Sequence, residues 1–411
     1  MPTNTRIDDA RLWSALMSMA EIGATPKGGV KRLTLTEVDR AGRDRFRAWC
    51  EELGLSVRVD AIGNMFARRE GRDPARSPVL MGSHLDSQPS GGKFDGALGV
   101  IAGLEVMRTL HEHGIQTEAP IELVNWTDEE GSRFGHSLMG SGTWAGIFPL
   151  SKTYNLRDPD GVRVEDALDA IGYRGAEPAQ PFAADSYFEL HIEQGPILER
   201  EGKQIGIVTG AQAQIWFDAV ITGQDAHAGT TPPSARRDAL VAMARIVERV
   251  DRIMRARGDD GRGTVGFVQV GPNSRNVVPG EVRFSIEFRH PDFTEVQAMA
   301  AELTAAADGL AAPCRLDLTE LFRLDAQPFD PGCIGLVRDA AARLNLPARE
   351  IVSGAGHDAV YVARHVPTAM IFTPCKDGLS HNEAESIEPH EAAAGAQVLF
   401  EAVLARANRV L

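Results

Sequence analysis

Residues 79–96 constrain the fold more than any other stretch. An apolar run after Pro78 ends in His84-Leu85-Asp86. A loop carrying Pro89, Gly91 and Gly92 follows, where neither helix nor sheet ladder is favoured. Asp95 then stands before a helical pattern with Ala97, Val100, Ile101, Leu104 and Met107 on one face. This strand–loop–helix unit brings one imidazole and two carboxylates to the C-terminal edge of a sheet, the edge at which open α/β sheets bind ligands. His84 offers a neutral nitrogen to a borderline metal such as zinc. Asp86, two residues on in an extended strand, is expected to face the same way, accept the other ring N–H and fix the tautomer. Asp95 is a second carboxylate able to bridge two ions, or else an N-cap for the helix that follows.

The chain has 411 residues, more than one compact domain usually holds, so two domains are expected. Hydrophobic residues make up 43%, enough for a core. The net charge of −14 argues against a nucleic-acid or anionic-membrane surface but leaves room for a small anionic substrate, which needs only a local Arg. Cys50, Cys314, Cys333 and Cys375 lie far apart and form no CxxC pair, which fits a reduced, cytoplasmic compartment. The first residues show no basic region leading into an apolar core, so no signal peptide is expected. No stretch is long and apolar enough to span a bilayer.

Taken in order, residues 9–22 read as a helix. Thr36 and Asp39 open a second helix that runs to about Leu53. Residues 55–59 and 64–67 read as strands. Residues 120–126 form another strand, ending at Thr127-Asp128-Glu129-Glu130-Gly131, so a second carboxylate pair also falls at a strand end. Residues 187–196 are a strand closed by Gly195-Pro196, with His191 near its end. From Ala213 the pattern changes. Ile215, Phe217, Ala219 and Ile221 alternate as in a half-buried strand. A helix over 238–253 follows, then strands at 264–270 and 281–288, a helix from an N-cap at Thr294 to about Leu310, and a strand over 315–321. This βαββαβ order predicts a ferredoxin-like antiparallel sheet with two helices on one face, inserted in the first domain. The expected boundaries are 1–212 and 328–411 for the outer domain and 213–327 for the insert. After Phe329 the α/β pattern resumes, with a helix over 333–344, a strand over 368–372 and a closing helix over 391–406.

Six segments in this order resemble one family: Gly82-Ser83-His84-Leu85-Asp86-Ser87-Gln88-Pro89, Gly92-Lys93-Phe94-Asp95-Gly96, Asn125-Trp126-Thr127-Asp128-Glu129-Glu130-Gly131-Ser132-Arg133-Phe134, His191-Ile192-Glu193-Gln194-Gly195-Pro196, Gly356-His357-Asp358-Ala359 and Ser380-His381-Asn382-Glu383. The chain resembles the di-metal aminopeptidase/acylase superfamily and, within it, the hydantoinase/carbamoylase branch of amidohydrolases. The resemblance implies a di-zinc aminopeptidase-like α/β catalytic domain with an inserted lid and dimerisation domain. It implies that His84 and His191 hold one metal, that Glu130 and His381 hold the other, and that Asp95 bridges them. The ions implied are two divalent metals, zinc first and manganese, cobalt or nickel as alternatives. Glu129 becomes the general base. His227, in Asp225-Ala226-His227-Ala228-Gly229-Thr230, resembles a histidine that reaches a partner subunit's site and polarises the carbonyl oxygen. Asn276, Arg289 and Gln194 resemble residues that hold the substrate carboxylate, for which a planar guanidinium is suited. The implied reaction is hydrolysis of the linear C–N bond of N-carbamoyl-L-amino acids by a homodimer. Allantoate or N-carbamoyl-β-alanine are the rival substrates, and a non-catalytic metal-binding scaffold is the rival of another class.

Overall fold

The computed structural model describes residues 5–409 and divides into two compact units, residues 1–210 with 328–411, and residues 211–327.

The first unit opens with α1 (Asp9–Ala20) and α2 (Glu37–Glu52). Thr36 caps α2 by accepting from the Asp39 N–H, the bond expected of a threonine at that position. Strands β1 (Ser56–Val59), β2 (Met65–Arg69), β3 (Val79–His84), β4 (Ile121–Trp126), β5 (Ser186–Ile192) and β6 (Ile205–Ala211) follow, with α3 (Ala97–Glu112) between β3 and β4. The sheet runs β1-β2-β4-β3-β5, then Thr368–Thr373, then β6, and Ala348–Ser353 also pairs with β6. At its centre β4, β3, β5 and Thr368–Thr373 are parallel. Each of these four strands is buried along its whole length, as parallel strands covered on both faces are, and the polar residues they carry, Glu122, Asn125 and Glu189 among them, are buried with the rest. The neighbours β1, β2 and β6 are antiparallel. Sequence periodicity left out β6 and Ala348–Ser353.

Helix α3 packs on β3 and β5, and the closing helix Pro389–Ala407 packs on α3. The approach of α3 is set by Gly99: a Cβ there would stand 2.4 Å from the Leu190 carbonyl oxygen and 2.8 Å from the Ser83 Cβ. The residue that caps α3 is Gly96, at φ 64°, and no side chain caps it. Asp95 is therefore not an N-cap, and its carboxylate is free for other partners.

The second unit is an antiparallel sheet in the order Val268–Gly271, Glu281–His290, Ala213–Thr222, Arg315–Leu324, with Arg262–Thr264 also on Glu281–His290. Ala213, Ile215, Phe217, Ala219 and Ile221 point into one core with Ile246 and Val250 of the helix Ala239–Arg255 and Val296 and Leu303 of the helix Phe293–Ala311. Two expectations need correction. The strand over 264–270 is two strands interrupted at Val265, Gly266 and Phe267, where the Phe267 N–H turns to the Ser285 hydroxyl. The second helix is capped by Asp292, which accepts from the Thr294 N–H, so Thr294 lies inside the helix. The Asp292 carboxylate satisfies a first-turn amide, so the helix starts before the threonine. A separate ribbon pairs Ala226–His227 with Val277–Val278. Among the described residues no helix is long and apolar enough to cross a membrane.

Candidate metal centre

Three of the four parallel strands, β3, β4 and β5, each deliver a candidate ligand at one edge. His84 is the last residue of β3, Glu129 and Glu130 follow β4, and His191 lies near the end of β5. His381 arrives on a loop at φ 54° and is half exposed, whereas His84, His191, Asp95, Glu129 and Glu130 are all buried.

Donor atoms of His84, Asp95 and His191 lie within 4.8 Å of one another, and so do those of Asp95, Glu130 and His381. Asp95 belongs to both triads. Its Oδ1 is 3.2 Å from His191 Nε2 and 3.5 Å from His84 Nε2, and its Oδ2 is 3.7 Å from His381 Nε2. Glu130 Oε2 is 3.2 Å from His381 Nε2. His84 Nε2 is buried without a hydrogen-bond partner, which a nitrogen aimed at a cation explains. The donors are nitrogen and oxygen, a set that divalent zinc or manganese accepts. The residues present fit a pair of divalent ions.

The outer shell fixes these ligands. His84 Nδ1 donates to the Asp86 backbone carbonyl at 3.0 Å, and His191 Nδ1 donates to the Ile192 carbonyl at 2.9 Å, so both rings turn Nε2 inward. The Gly96 N–H also reaches His191 Nε2, at 3.1 Å. The expected bond from the His84 ring to the Asp86 carboxylate is not made: Asp86 Oδ1 is 3.7 Å away. The strand ends at His84, so Asp86 is no longer in an extended register. Its carboxylate accepts instead from the Glu129 and Glu130 N–H groups, at 3.2 Å each. Asp86 thus holds the turn that presents both glutamates, in which Asp128 has φ 56° and Gly131 φ 64°.

Glu129 lies in neither triad, yet its Oε2 is 3.6 Å from His84 Nε2. Burial pushes its carboxyl well above the usual range; His84 opposes this, and Glu130, Asp358 and Asp95 add to it. Burial lowers His84, but Glu129, Asp95 and Asp86 outweigh it and hold the imidazole well above its ordinary value. His381 is raised to about 9, chiefly by its bond to Glu130. A protein whose pocket gathers this many carboxylates holds protons where cations would otherwise balance them.

Gln194, expected on the substrate, donates to Asp95 Oδ2 at 2.8 Å and to Ser380 Oγ at 3.3 Å. Ser380 donates to Asp95 Oδ2 at 2.6 Å. Glu385 was missed by sequence reading. It accepts from the Phe94 and Asp95 N–H groups at 2.9 and 3.1 Å and so fixes the loop that carries Asp95. Its signal was slight: one more acid just past the His381 motif, in a stretch that also holds Glu383. His357 stacks edge-on against His191, with ring centroids 4.5 Å apart, and its Nε2 meets Ser353 Oγ at 3.0 Å. Burial and His191 push His357 well down.

In the second unit His227 and Asn276 are brought together, with Asn276 Nδ2 3.4 Å from His227 Nε2, and both are exposed. Arg289 lies on the strand Glu281–His290 opposite Gln214. Its guanidinium pairs with Glu287 at 2.9 Å and stands 5.9 Å from the Trp216 ring. Arg289 is therefore an engaged cation rather than a bare strand-end charge.

A parallel sheet edge that presents two nitrogen–oxygen triads around one shared carboxylate defines an α/β protein with a candidate paired-metal centre. Residues 80–405 match Peptidase family M20/M25/M40, and the chain belongs to that family. It is similar over its whole length to an amidase of the hydantoinase/carbamoylase family from Burkholderia multivorans, at 50% identity and a TM-score of 0.94, with 100% of both chains covered. An N-carbamoyl-L-amino-acid amidohydrolase of Rhizobium meliloti is 47% identical over 99% of this chain and 98% of its own length. An allantoate amidohydrolase of Bacillus subtilis (strain 168) is 32% identical over 93% of each.

Proposed function

We propose that this chain hydrolyses the linear C–N bond of N-carbamoyl-L-amino acids, giving an amino acid, ammonia and carbon dioxide. The observation that carries the reading is the position of Glu129: a buried carboxylate beside His84 that belongs to neither triad, while Asp95 belongs to both. The preference for carbamoyl substrates over allantoate is supported by the higher identity to the carbamoyl-acting relative.

His84, His191 and Asp95 would hold one divalent ion, and Asp95, Glu130 and His381 the other. Zinc is the reading for both, with manganese, cobalt or nickel as alternatives. Such a pair supplies Lewis acidity and an acidified water. Glu129 takes a proton from the attacking water and gives it to the departing nitrogen. The water oxygen bonds to the carbamoyl carbon, and the bond from that carbon to the α-nitrogen breaks. The carbamate released falls apart into ammonia and carbon dioxide. His227 donates a hydrogen bond to the carbonyl oxygen as charge develops on it. Arg289, Asn276 and Gln194 orient the substrate carboxylate, which requires Gln194 to leave Asp95 and Arg289 to share itself with Glu287. The unit over 211–327 acts as lid and dimerisation domain, with His227 serving the second subunit, and the working compartment is the cytoplasm.

The test is a substrate panel with defined metals. Metal-loaded protein is incubated with several N-carbamoyl-L-amino acids, N-carbamoyl-β-alanine and allantoate, and ammonia and amino acid are measured. Turnover of the N-carbamoyl-L-amino acids ahead of the others is expected. A preference for allantoate overturns the substrate. Two bound ions with no turnover of any compound identifies a non-catalytic metal-binding scaffold.

A further inference from the structure

We propose that Arg236 is a positioning residue that holds His227 in the tautomer carrying its proton on Nε2. The part played by that proton in catalysis rests on the function proposed above; the tautomer itself does not.

The ribbon sets His227 opposite Val277. Beyond it the chain turns through Ala228-Gly229-Thr230-Thr231, and a single 3₁₀ turn, Pro233–Ala235, returns Arg236 to that turn. Arg236 Nη2 donates to the Ala228 carbonyl at 2.7 Å, and its Nε donates to the Thr231 carbonyl at 3.0 Å. A planar fork suits two acceptors at a fixed separation. The Ala228 carbonyl and the Gly229 N–H belong to one trans peptide, so fixing the carbonyl on Arg236 aims the N–H the opposite way. That N–H donates to His227 Nδ1 at 3.0 Å, and the Thr230 N–H joins it at 3.2 Å. The turn is closed by the Thr231 N–H on the His227 carbonyl and the Ala228 N–H on the Asn276 carbonyl. Two amide donors on Nδ1 mean that Nδ1 presents its lone pair and Nε2 carries the hydrogen. A hydrogen there calls for an oxygen from Asn276, which its amide supplies by turning over about the last side-chain bond. His227 is then an N–H donor built before substrate arrives, and its donor atom is the one beside Asn276.

The test reads the tautomer directly. Full-length zinc-loaded protein is labelled with ¹⁵N at histidine, and long-range ¹H–¹⁵N spectra are recorded, with the His227 signals assigned by their loss in His227→Asn. The wild type should show the Nε2–H pattern. Arg236→Met should show a mixture of both tautomers, and Arg236→Lys, which keeps a charge but not the fork, should lie between. Thermal melts establish that each variant is folded. Only the donor tautomer supplies the hydrogen bond, so kcat in Arg236→Met should fall in proportion to the fraction of that tautomer lost, roughly twofold for an even mixture, with KM left nearly unchanged. An Nδ1–H pattern in the wild type overturns the proposal, and so does an unchanged His227 tautomer in folded Arg236→Met. A tautomer shift in a protein that turns over no carbamoyl substrate sustains the positioning role and removes the substrate reading.

Discussion

Asp95 spends one oxygen on each half of the centre, and the residues around it leave it little freedom. Oδ1 faces His84 and His191, while Oδ2 takes bonds from Ser380 and Gln194. Glu129 stands beside this arrangement without joining it, so removing its charge should spare the metals. Glu129→Gln is expected to bind metal as the parent does and to lose about 10²–10⁴ in kcat, read by metal analysis beside steady-state rates. Gly96 has a different office. At φ 64°, a Cβ would lie 2.3 Å from the His84 ring. Gly96→Ala should cost at least about 1 kcal/mol from backbone conformation alone and lower metal occupancy through the displaced imidazole; unfolding curves and metal content both report it. The pH dependence of metal uptake follows from His381. Its imidazole is raised to about 9 in the metal-free protein, above its unfolded value, so the proton is held below that pH and must leave before a metal is ligated. Raising the pH from about 6 to about 8 should therefore strengthen metal uptake, by up to about tenfold per unit at this site, with protons released on binding. Titration calorimetry in buffers of differing ionisation heat measures the release, and pH-independent affinity would contradict it.

At the level of elements, α2 acts on the centre from a distance. Asp39 and Arg43 pair at 2.8 Å, and both are fully buried. Arg43 also donates to the Gly63 carbonyl and to Thr127 Oγ1, immediately before the Asp128–Gly131 turn. Removing one member of such a pair leaves the other charge buried and uncompensated. Asp39→Ala should cost about 3–5 kcal/mol, measured by urea unfolding. A loss below about 1 kcal/mol would mean that water reaches Arg43. The sequence gives Asp39 a plain role in the first turn of a helix, and that role is real, since Asp39 Oδ2 also accepts from the Leu35 N–H. Its pairing with Arg43 is a helical i,i+4 contact and could be read from spacing; the reach of Arg43 to Thr127 could not.

The first unit is interrupted in sequence after β6. The chain leaves at β6 and returns where the Phe329 N–H donates to the Thr209 carbonyl at 3.0 Å, so the two ends of the interruption meet. Joining residues 210 and 328 by a short linker should leave the candidate metal ligands in place, because all five lie in the first unit. Expected are full metal uptake, no detectable turnover of N-carbamoyl substrates and a monomer by sedimentation. Turnover that survived the excision would remove His227, Asn276 and Arg289 from the mechanism.

Chemical type was legible in the order of residues. His84, Glu130 and His191 stand at or just past the ends of strands, Asp95 falls just ahead of a helical run, and alternating Ile215, Phe217 and Ala219 mark a different sheet, because burial imposes its period on local sequence. What the sequence left undetermined was contact between segments distant along the chain. Nothing local says that the Asp86 carboxylate serves the Glu129 and Glu130 amides rather than the His84 ring, that Glu385 holds the Asp95 loop, or that β6 lies antiparallel to Thr368–Thr373. Those outcomes depend on which hydrogen-bonding groups compete for one donor once packing has brought them together, and only the folded chain decides that competition.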